Sequence, residues 1–250
     1  MLKEISAYWT SSSEGYDKVI HHQFGSRRTV TFWERMLAEG LGKTAGQHVL
    51  DVGTGPGFFS ILLSRMGHRA TAVDASEGMV ARAAHNFKAF GCDVKTYVGD
   101  AANLHREASE SYDAIVCRDV VWTLPEPERA YAEWHRLLKP GGKLIIFDGN
   151  YLYEERRTMF RSLWLGLSWL LILLTERRVR RRSSQDQALL QELPFTRVLR
   201  PKADEEALRL AGFAAADIRR GFMPAGAMPI HYLKYGHQNA NRFMIIAIKE

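Results

Sequence analysis

From about residue 47 onward, short runs of β-branched and aliphatic residues alternate with longer stretches whose apolar residues recur at helical spacing. That alternation predicts a parallel sheet covered by helices on both faces. The apolar runs predict strands over 47–52, 69–74, 94–98, 113–118 and 143–148, with helices over 57–66, 77–90 and 126–138 between them. A glycine turn opens the first helix, and Ser76 followed by Glu77 gives the second a capping residue and an acid in its first turn. Pro140-Gly-Gly142 predicts a stop and turn ahead of the fifth strand. After Asp148 the rhythm breaks until about residue 200, and an apolar stretch with Trp164 and Trp169 leads into an arginine cluster, as in an insertion. A helix over 204–211 and strands over 215–222 and 243–248 restore the alternation, the two strands being antiparallel neighbours across a long loop. The predicted fold class is α/β, a doubly wound, seven-stranded, mostly parallel sheet with its last strand antiparallel, and a helical cap. The expected division is an N-terminal helical cover (1–44), a ligand-binding α/β core (45–150), a helical cap (151–200) and a C-terminal helix with two strands completing the core (201–250).

Composition narrows the class. The chain has 250 residues, 46% hydrophobic and 25% charged, enough for one sizeable core. Its first residues carry no apolar run behind Lys3, so no secretory or transit signal is readable and a cytoplasmic location is expected. Cys92 and Cys117 have no ligand-type spacing, which excludes a disulfide framework and points to no metal site. The formal charge of +6 is uneven, because Glu176-Arg-Arg-Val-Arg-Arg-Arg182 sets five arginines against one glutamate. The basic charge is thus a property of one segment, and no nucleic-acid partner is expected.

The block VLDVGTGPGFFSILLSRMGHRATAVDAS carries the chemistry: a buried strand, a glycine turn, a helix, a second strand, then an acid. A ligand lying against such a turn requires residues without Cβ, and Gly53, Gly55 and Gly57 meet that requirement around Thr54. Asp74, followed by Ala75, ends the second strand 21 residues after Gly53, where a carboxylate can accept hydrogen bonds from both hydroxyls of a ribose. An adenosine moiety is implied. The dinucleotide fingerprint GxGxxG would require glycine where Phe58 stands, and here an acid, Asp51, precedes the first glycine by two residues.

The resulting DxGxGxG pattern resembles motif I of the class I S-adenosylmethionine-dependent methyltransferases. Gly99-Asp100-Ala101, Cys117-Arg118-Asp119 and Leu138-Lys-Pro-Gly-Gly-Lys-Leu144 are similar to that family's later motifs, in the same order, and the resemblance covers about residues 45–150. It implies S-adenosylmethionine as cofactor, with Asp51 toward the ammonium, Asp74 on the ribose, Asp100 and Ala101 at the adenine and Arg118 beside the methionine part. Met79 is open to two readings, packing on the adenine or filling core. The overall layout looks like the quinone and natural-product methyltransferases, which implies methyl transfer to a small, apolar or aromatic acceptor.

The leading segment from Tyr8 to His22 resembles the family's cover helix, with Tyr16 at the methionine end. His22, His231 and Tyr232 are the candidates for a proton-transfer group. Residues 160–182 are open to three readings: a cap over the acceptor pocket, a homodimer contact, or a peripheral membrane contact of an apolar helix with a basic flank. Two other functions stay open: an RNA or protein methyltransferase using the basic run Arg177–Arg182, and a non-catalytic S-adenosylmethionine-binding partner protein.

Overall fold

The structure, a computed structural model, describes residues 1–151, 159–176, 184–221, 233 and 241–250. Two helices lead: α1 (Leu2–Phe24) and α2 (Arg27–Leu41), the second capped by Ser26, whose hydroxyl accepts from Thr29 N at 3.3 Å. The alternating core follows as β1 (His48–Val52), α3 (Phe58–Arg65), β2 (Arg69–Asp74), α4 (Glu77–Ala89), β3 (Lys95–Val98), β4 (Tyr112–Arg118), α5 (Pro127–Leu137) and β5 (Leu138–Gly149). Helices α6 (Met159–Glu176) and α7 (Ser184–Gln191) occupy the break in the rhythm, and α8 (Lys202–Leu210), β6 (Asp217–Arg220) and β7 (Arg242–Ile248) close the chain.

The seven strands form one sheet in the order β3-β2-β1-β4-β5-β7-β6. Strands β1 to β5 pair in parallel, whereas β7 lies between β5 and β6 and is antiparallel to both. The predicted fold class is therefore the observed one. Alternation along the central strands sorts the core into two layers. Leu50, Val52, Ile115, Cys117 and Ile146 face α5 and α8, while Val49, Val116, Ile145 and Phe147 face α2 and α3.

The fifth strand departs from its prediction. Pro140-Gly141-Gly142 does not precede it but lies inside it, since pairing begins at Tyr112↔Leu138 and resumes at Ala114↔Lys143 after a register shift. The glycine pair makes this bulge possible: Gly141 takes φ +73 and donates its N–H to Lys249 O at 2.8 Å, so β5 is joined to the chain's end before its regular part starts. No metal cluster of three or more ligand side chains occurs among the described residues, and no described helix is long and apolar enough to cross a membrane.

Candidate cofactor site

At the carboxyl end of β1 the chain turns through three glycines with left-handed backbone: Gly53 (φ +66), Gly55 (φ +54) and Gly57 (φ +97). The three have different reasons to lack a side chain. A Cβ on Gly53 would lie 2.3 Å from Val120 Cγ2, and one on Gly57 would lie 2.5 Å from the Phe87 ring, so both serve close packing. A Cβ on Gly55 would meet nothing within 4 Å. Gly55 is therefore the open face of the turn. The N–H groups of Gly53 and Thr54 both donate to Val73 O, which pins the turn to β2. Gly53→Ala should cost about 1 to 2 kcal/mol of stability from the left-handed backbone and the clash. Thermal melts would read this, and Val120→Ala in the same chain should recover part of the loss; a Gly53→Ala protein as stable as the parent contradicts the packing argument.

Asp74 stands at the end of β2 beside this open face. One carboxylate oxygen accepts from Gly55 N and the other from Ser76 N, each at 2.9 Å. Each oxygen keeps acceptor capacity for a further donor. Burial pushes the carboxyl up to about 6 against the pull of those two N–H groups. Next to it lies a cavity of about 440 Å³ between the start of α1 and the ends of β2 and β3, lined by Ser6, Thr10, Ala75, Val98, Gly99 and Asp100 among others. Ser6 Oγ donates to Ala75 O at 2.7 Å and Thr10 shares a hydrogen bond with the α4 cap Ser76, so α1 is fastened over this mouth. Asp100 uses one oxygen to accept from Ala102 N at 3.0 Å, which fixes the turn at the cavity floor.

Several of the expected residues make contacts that their sequence reading did not include. Asp51 is buried under the turn, and its Oδ2 accepts from Thr54 Oγ1 (2.8 Å), Ser60 N (3.0 Å) and Ser60 Oγ (2.7 Å). Its first role is to hold the turn to the start of α3, which leaves the acceptor capacity of Oδ1 unused by these contacts. Burial raises its pKa, opposed by those hydroxyl and N–H donors. Thr54 is spent on Asp51. Met79 is buried in the first turn of α4 and is not among the residues lining the cavity. Ala101 is buried in the core, offers its carbonyl to Trp134 Nε1 at 2.9 Å and is not among the residues lining the cavity.

Arg118 ends β4 one step beyond the β1 pairing of Val52 with Cys117, opposite the glycine turn. Its guanidinium lies over three rings, Phe58 (4.8 Å), Phe59 (4.9 Å) and Trp33 (5.2 Å), and its Nη1 is buried without a hydrogen-bond partner. Burial lowers its pKa while Asp119 and Asp51 oppose that. Such a cation, cushioned by aromatic faces and short of an acceptor, is suited to an anionic ligand group.

Beyond it the chain builds an aromatic wall that sequence reasoning did not assemble. Trp9 touches Tyr8, Tyr16 and Trp122 edge-on, and Trp122 packs against Tyr151 at 5.1 Å. Asp119 takes φ +60, rare for a residue with a side chain. Its carboxylate accepts from the Tyr151 hydroxyl, lies 3.6 Å from Arg242, and its carbonyl accepts from Trp122 Nε1 at 3.0 Å. The signal available in the sequence was only that Asp119 and Tyr151 each follow a strand end. Tyr16 sits on this wall, edge-on to Trp9 and exposed. His22 does not: it is exposed in the last turn of α1, next to His21, whose ring stacks on Phe90 beyond the far end of α4. His231 and Tyr232 lie outside the described residues.

Comparison with known proteins finds relatives of the core and of the fold. Residues 50–146 match the family model described as a methyltransferase domain. The ubiquinone biosynthesis O-methyltransferase of Xanthomonas axonopodis pv. citri (strain 306) is 35% identical over 106 residues, spanning 42% of this chain and 44% of that protein. The chain thus spans less than half the length of that curated relative in the match. Among solved structures, a putative S-adenosyl-L-methionine-dependent methyltransferase from Methanococcus maripaludis superposes with a TM-score of 0.62 at 21% identity, over 96% of this chain and 93% of that one. Phosphoethanolamine N-methyltransferase 2 of Haemonchus contortus, in complex with S-adenosyl-L-methionine, gives 0.59 at 18% identity over 86% of this chain and 51% of that one. At such identities these two likenesses establish the fold. The matched block holds the glycine turn, Asp74, Asp100 and Arg118, so residues 50–146, set in the strand order above, are similar to a methyltransferase domain.

Proposed function

We propose that the chain is an S-adenosylmethionine-dependent methyltransferase that acts on a small, apolar or aromatic acceptor by in-line methyl transfer. The observation that carries this reading is the pairing of the open face at Gly55 with the Asp74 carboxylate, one residue before Ala75, which lines the cavity under α1. In this reading the adenine occupies that cavity between Val98, Gly99 and Asp100, and the ribose hydroxyls donate to Asp74. The amino-acid end crosses the glycine turn, its ammonium toward Asp51 Oδ1 and its carboxylate toward the unpartnered Nη1 of Arg118. Bound there, the donor supplies a methyl group on a sulfonium, already activated for displacement. The protein's contribution is alignment and exclusion of water. Residues 1–44 act as the cover, 45–150 and 201–250 as the binding core, and 151–200 as the cap.

Trp9, Tyr16, Trp122 and Tyr151 supply the acceptor's apolar wall, and Asp119 with Arg242 the polar groups that would hold a hydroxyl at its edge. The name of the relative from Xanthomonas, a ubiquinone biosynthesis O-methyltransferase, supports an oxygen acceptor on a quinone-related molecule. A cytoplasmic enzyme working without metal fits the same reading. Calorimetry with S-adenosylmethionine and S-adenosylhomocysteine, followed by product release with pools of quinones, phenols, amines, thiols and RNA, tests it. Donor binding with turnover on the aromatic pools is expected. No donor binding would sink the reading, binding without turnover on any pool would make the chain a non-catalytic binder, and turnover only on RNA would redirect it to the basic run.

A further inference from the structure

Helix α6 presents its more apolar side outward. Over Leu163–Leu174 it contains no charged residue, and Ser168, its most polar side chain in the described part, is buried. Leu163, Leu167, Trp169, Leu170, Leu173 and Leu174 are exposed, the first and last at 67% and 68% and the tryptophan at 50%. Successive positions along a helix turn by about 100°, so these six fall on one continuous arc, while Trp164, Leu165, Leu171 and Ile172, all half-buried, take the other. Trp164 fastens that inner arc by donating from Nε1 to Leu233 O at 2.9 Å. A face of this composition left in water is unfavourable, and exposed apolar patches of this kind mark contact surfaces.

The charge distribution selects among occupants. Arg177, Arg178, Arg180, Arg181 and Arg182 follow α6 directly in the sequence, and with Glu176 they make a local net charge of +4 in a chain whose net charge is +6. The outer arc is about 16 Å long at the helical rise, too short to cross a bilayer core of about 30 Å. An apolar arc with an interfacial tryptophan followed by a dense cationic run is the arrangement of a helix lying in the plane of an anionic lipid surface.

We infer that the outer face of α6 docks on the surface of an anionic lipid bilayer. This rests on the exposure of α6 and the adjacent charge and is independent of the donor site. The test is sedimentation of the full chain with phosphatidylglycerol-containing vesicles and with pure phosphatidylcholine vesicles, at low and high salt, beside sedimentation velocity without lipid. The parent is expected to bind the anionic vesicles, with a blue shift of tryptophan emission and weakening in salt. Leu170→Glu with Leu174→Glu should lower that binding by about tenfold or more, because both positions point outward. Circular dichroism and S-adenosylhomocysteine calorimetry on the same variant check that the fold and donor site persist. Binding to neither vesicle, or equal binding by parent and variant, overturns the inference. A concentration-dependent dimer that the variant abolishes, without vesicle binding, would assign the face to a second copy instead.

Discussion

Arg200→Ala is expected to destabilise the fold by about 3 to 5 kcal/mol, the effect of removing one partner from a buried ionic cluster. Arg200 is fully buried, 52 residues beyond Asp148 in the chain, and it binds two carboxylates that are themselves fully buried. Its Nη1 donates to Asp148 Oδ2 at 2.7 Å, and Nε and Nη2 form a two-pronged contact with Asp204 at 2.9 and 2.5 Å. Tyr131 donates to Asp204 at 2.6 Å, and the Asn150 side-chain amide donates from Nδ2 to Arg200 O and accepts at Oδ1 from Arg200 N. Phe195 and Phe243 cover the guanidinium faces at 5.2 and 5.0 Å. The cluster ties the returning end of the segment after β5 to β5 itself and to α8. Through Asp148, which also accepts from Trp122 N at 3.2 Å, it reaches the aromatic wall.

With alanine at 200, Asp148 and Asp204 become buried charges without a counter-ion. Burial already pushes Asp148 up to about 6 with the arginine in place, and losing the arginine removes the strongest opposing pull. The variant's Asp148 carboxyl therefore takes up a proton at higher pH than the parent's. The stability deficit should be largest above pH 7 and shrink as pH falls through about 6 toward 5, where protonation relieves the uncompensated charge. Urea unfolding of both proteins across that range checks magnitude and sign together. A loss under about 1 kcal/mol at pH 7.5, or a deficit that grows toward acid, would remove the cluster from any structural role.

Asp74→Ala is expected to weaken S-adenosylhomocysteine binding by about 1 to 3 kcal/mol, from loss of charge-assisted hydrogen bonds to the ribose. The same carboxylate predicts the pH dependence. Its pKa stands raised to about 6, so the form that accepts from two hydroxyls predominates above that value and is titrated away below it. Parent affinity should hold steady from about pH 8 to 7 and fall as pH drops through about 6. Asp74→Asn keeps one acceptor oxygen, and should bind more weakly than the parent at pH 7.5 with that step removed. Calorimetric titration at a series of pH values decides this. Unchanged affinity in both variants, with the acid step retained, means the ribose does not lie on Asp74.

For the free protein the same raised pKa has the opposite consequence. Between about pH 4 and 6 the folded state binds more protons at Asp74 than the unfolded chain, so this group's contribution to stability declines as pH rises through that window. The cofactor turn thus holds a carboxylate that is unfavourable to keep ionised until donors arrive. Such pre-placement is frequent where a ligand supplies the missing hydrogen bonds.

Much of this was written in the local sequence. Strand runs, helical periods and the capping serine at 76 are properties of neighbours within one or two turns, so the sheet, its class and the antiparallel ending could be read directly. The left-handed turn at Gly53, Gly55 and Gly57 was equally legible, because its requirement for residues without Cβ is met inside five positions. Within that turn, however, the sequence did not separate Gly55, which faces the open site, from Gly53 and Gly57, which make room for Val120 and Phe87 from elsewhere in the chain. Nor did it read β5 correctly. Proline and two glycines are local stop signals, yet here Lys249, more than a hundred residues away, supplies the pairing that keeps them in the strand.

By itself, then, the sequence determined the order of elements, the parallel core, the glycine turn and the two acids beside it. The tertiary structure decided what each side chain is left free to do. It spends Thr54 and one oxygen of Asp51 on the start of α3, sets Arg118 over three rings with an unpartnered nitrogen, and gathers Asp148, Arg200 and Asp204 into one buried cluster. It also turned Leu163, Leu167, Leu170, Leu173 and Leu174 of α6 outward. The division has one cause: backbone preferences are fixed by adjacent residues, whereas the charge, burial and remaining hydrogen-bond capacity of a side chain depend on partners that only folding brings within contact distance.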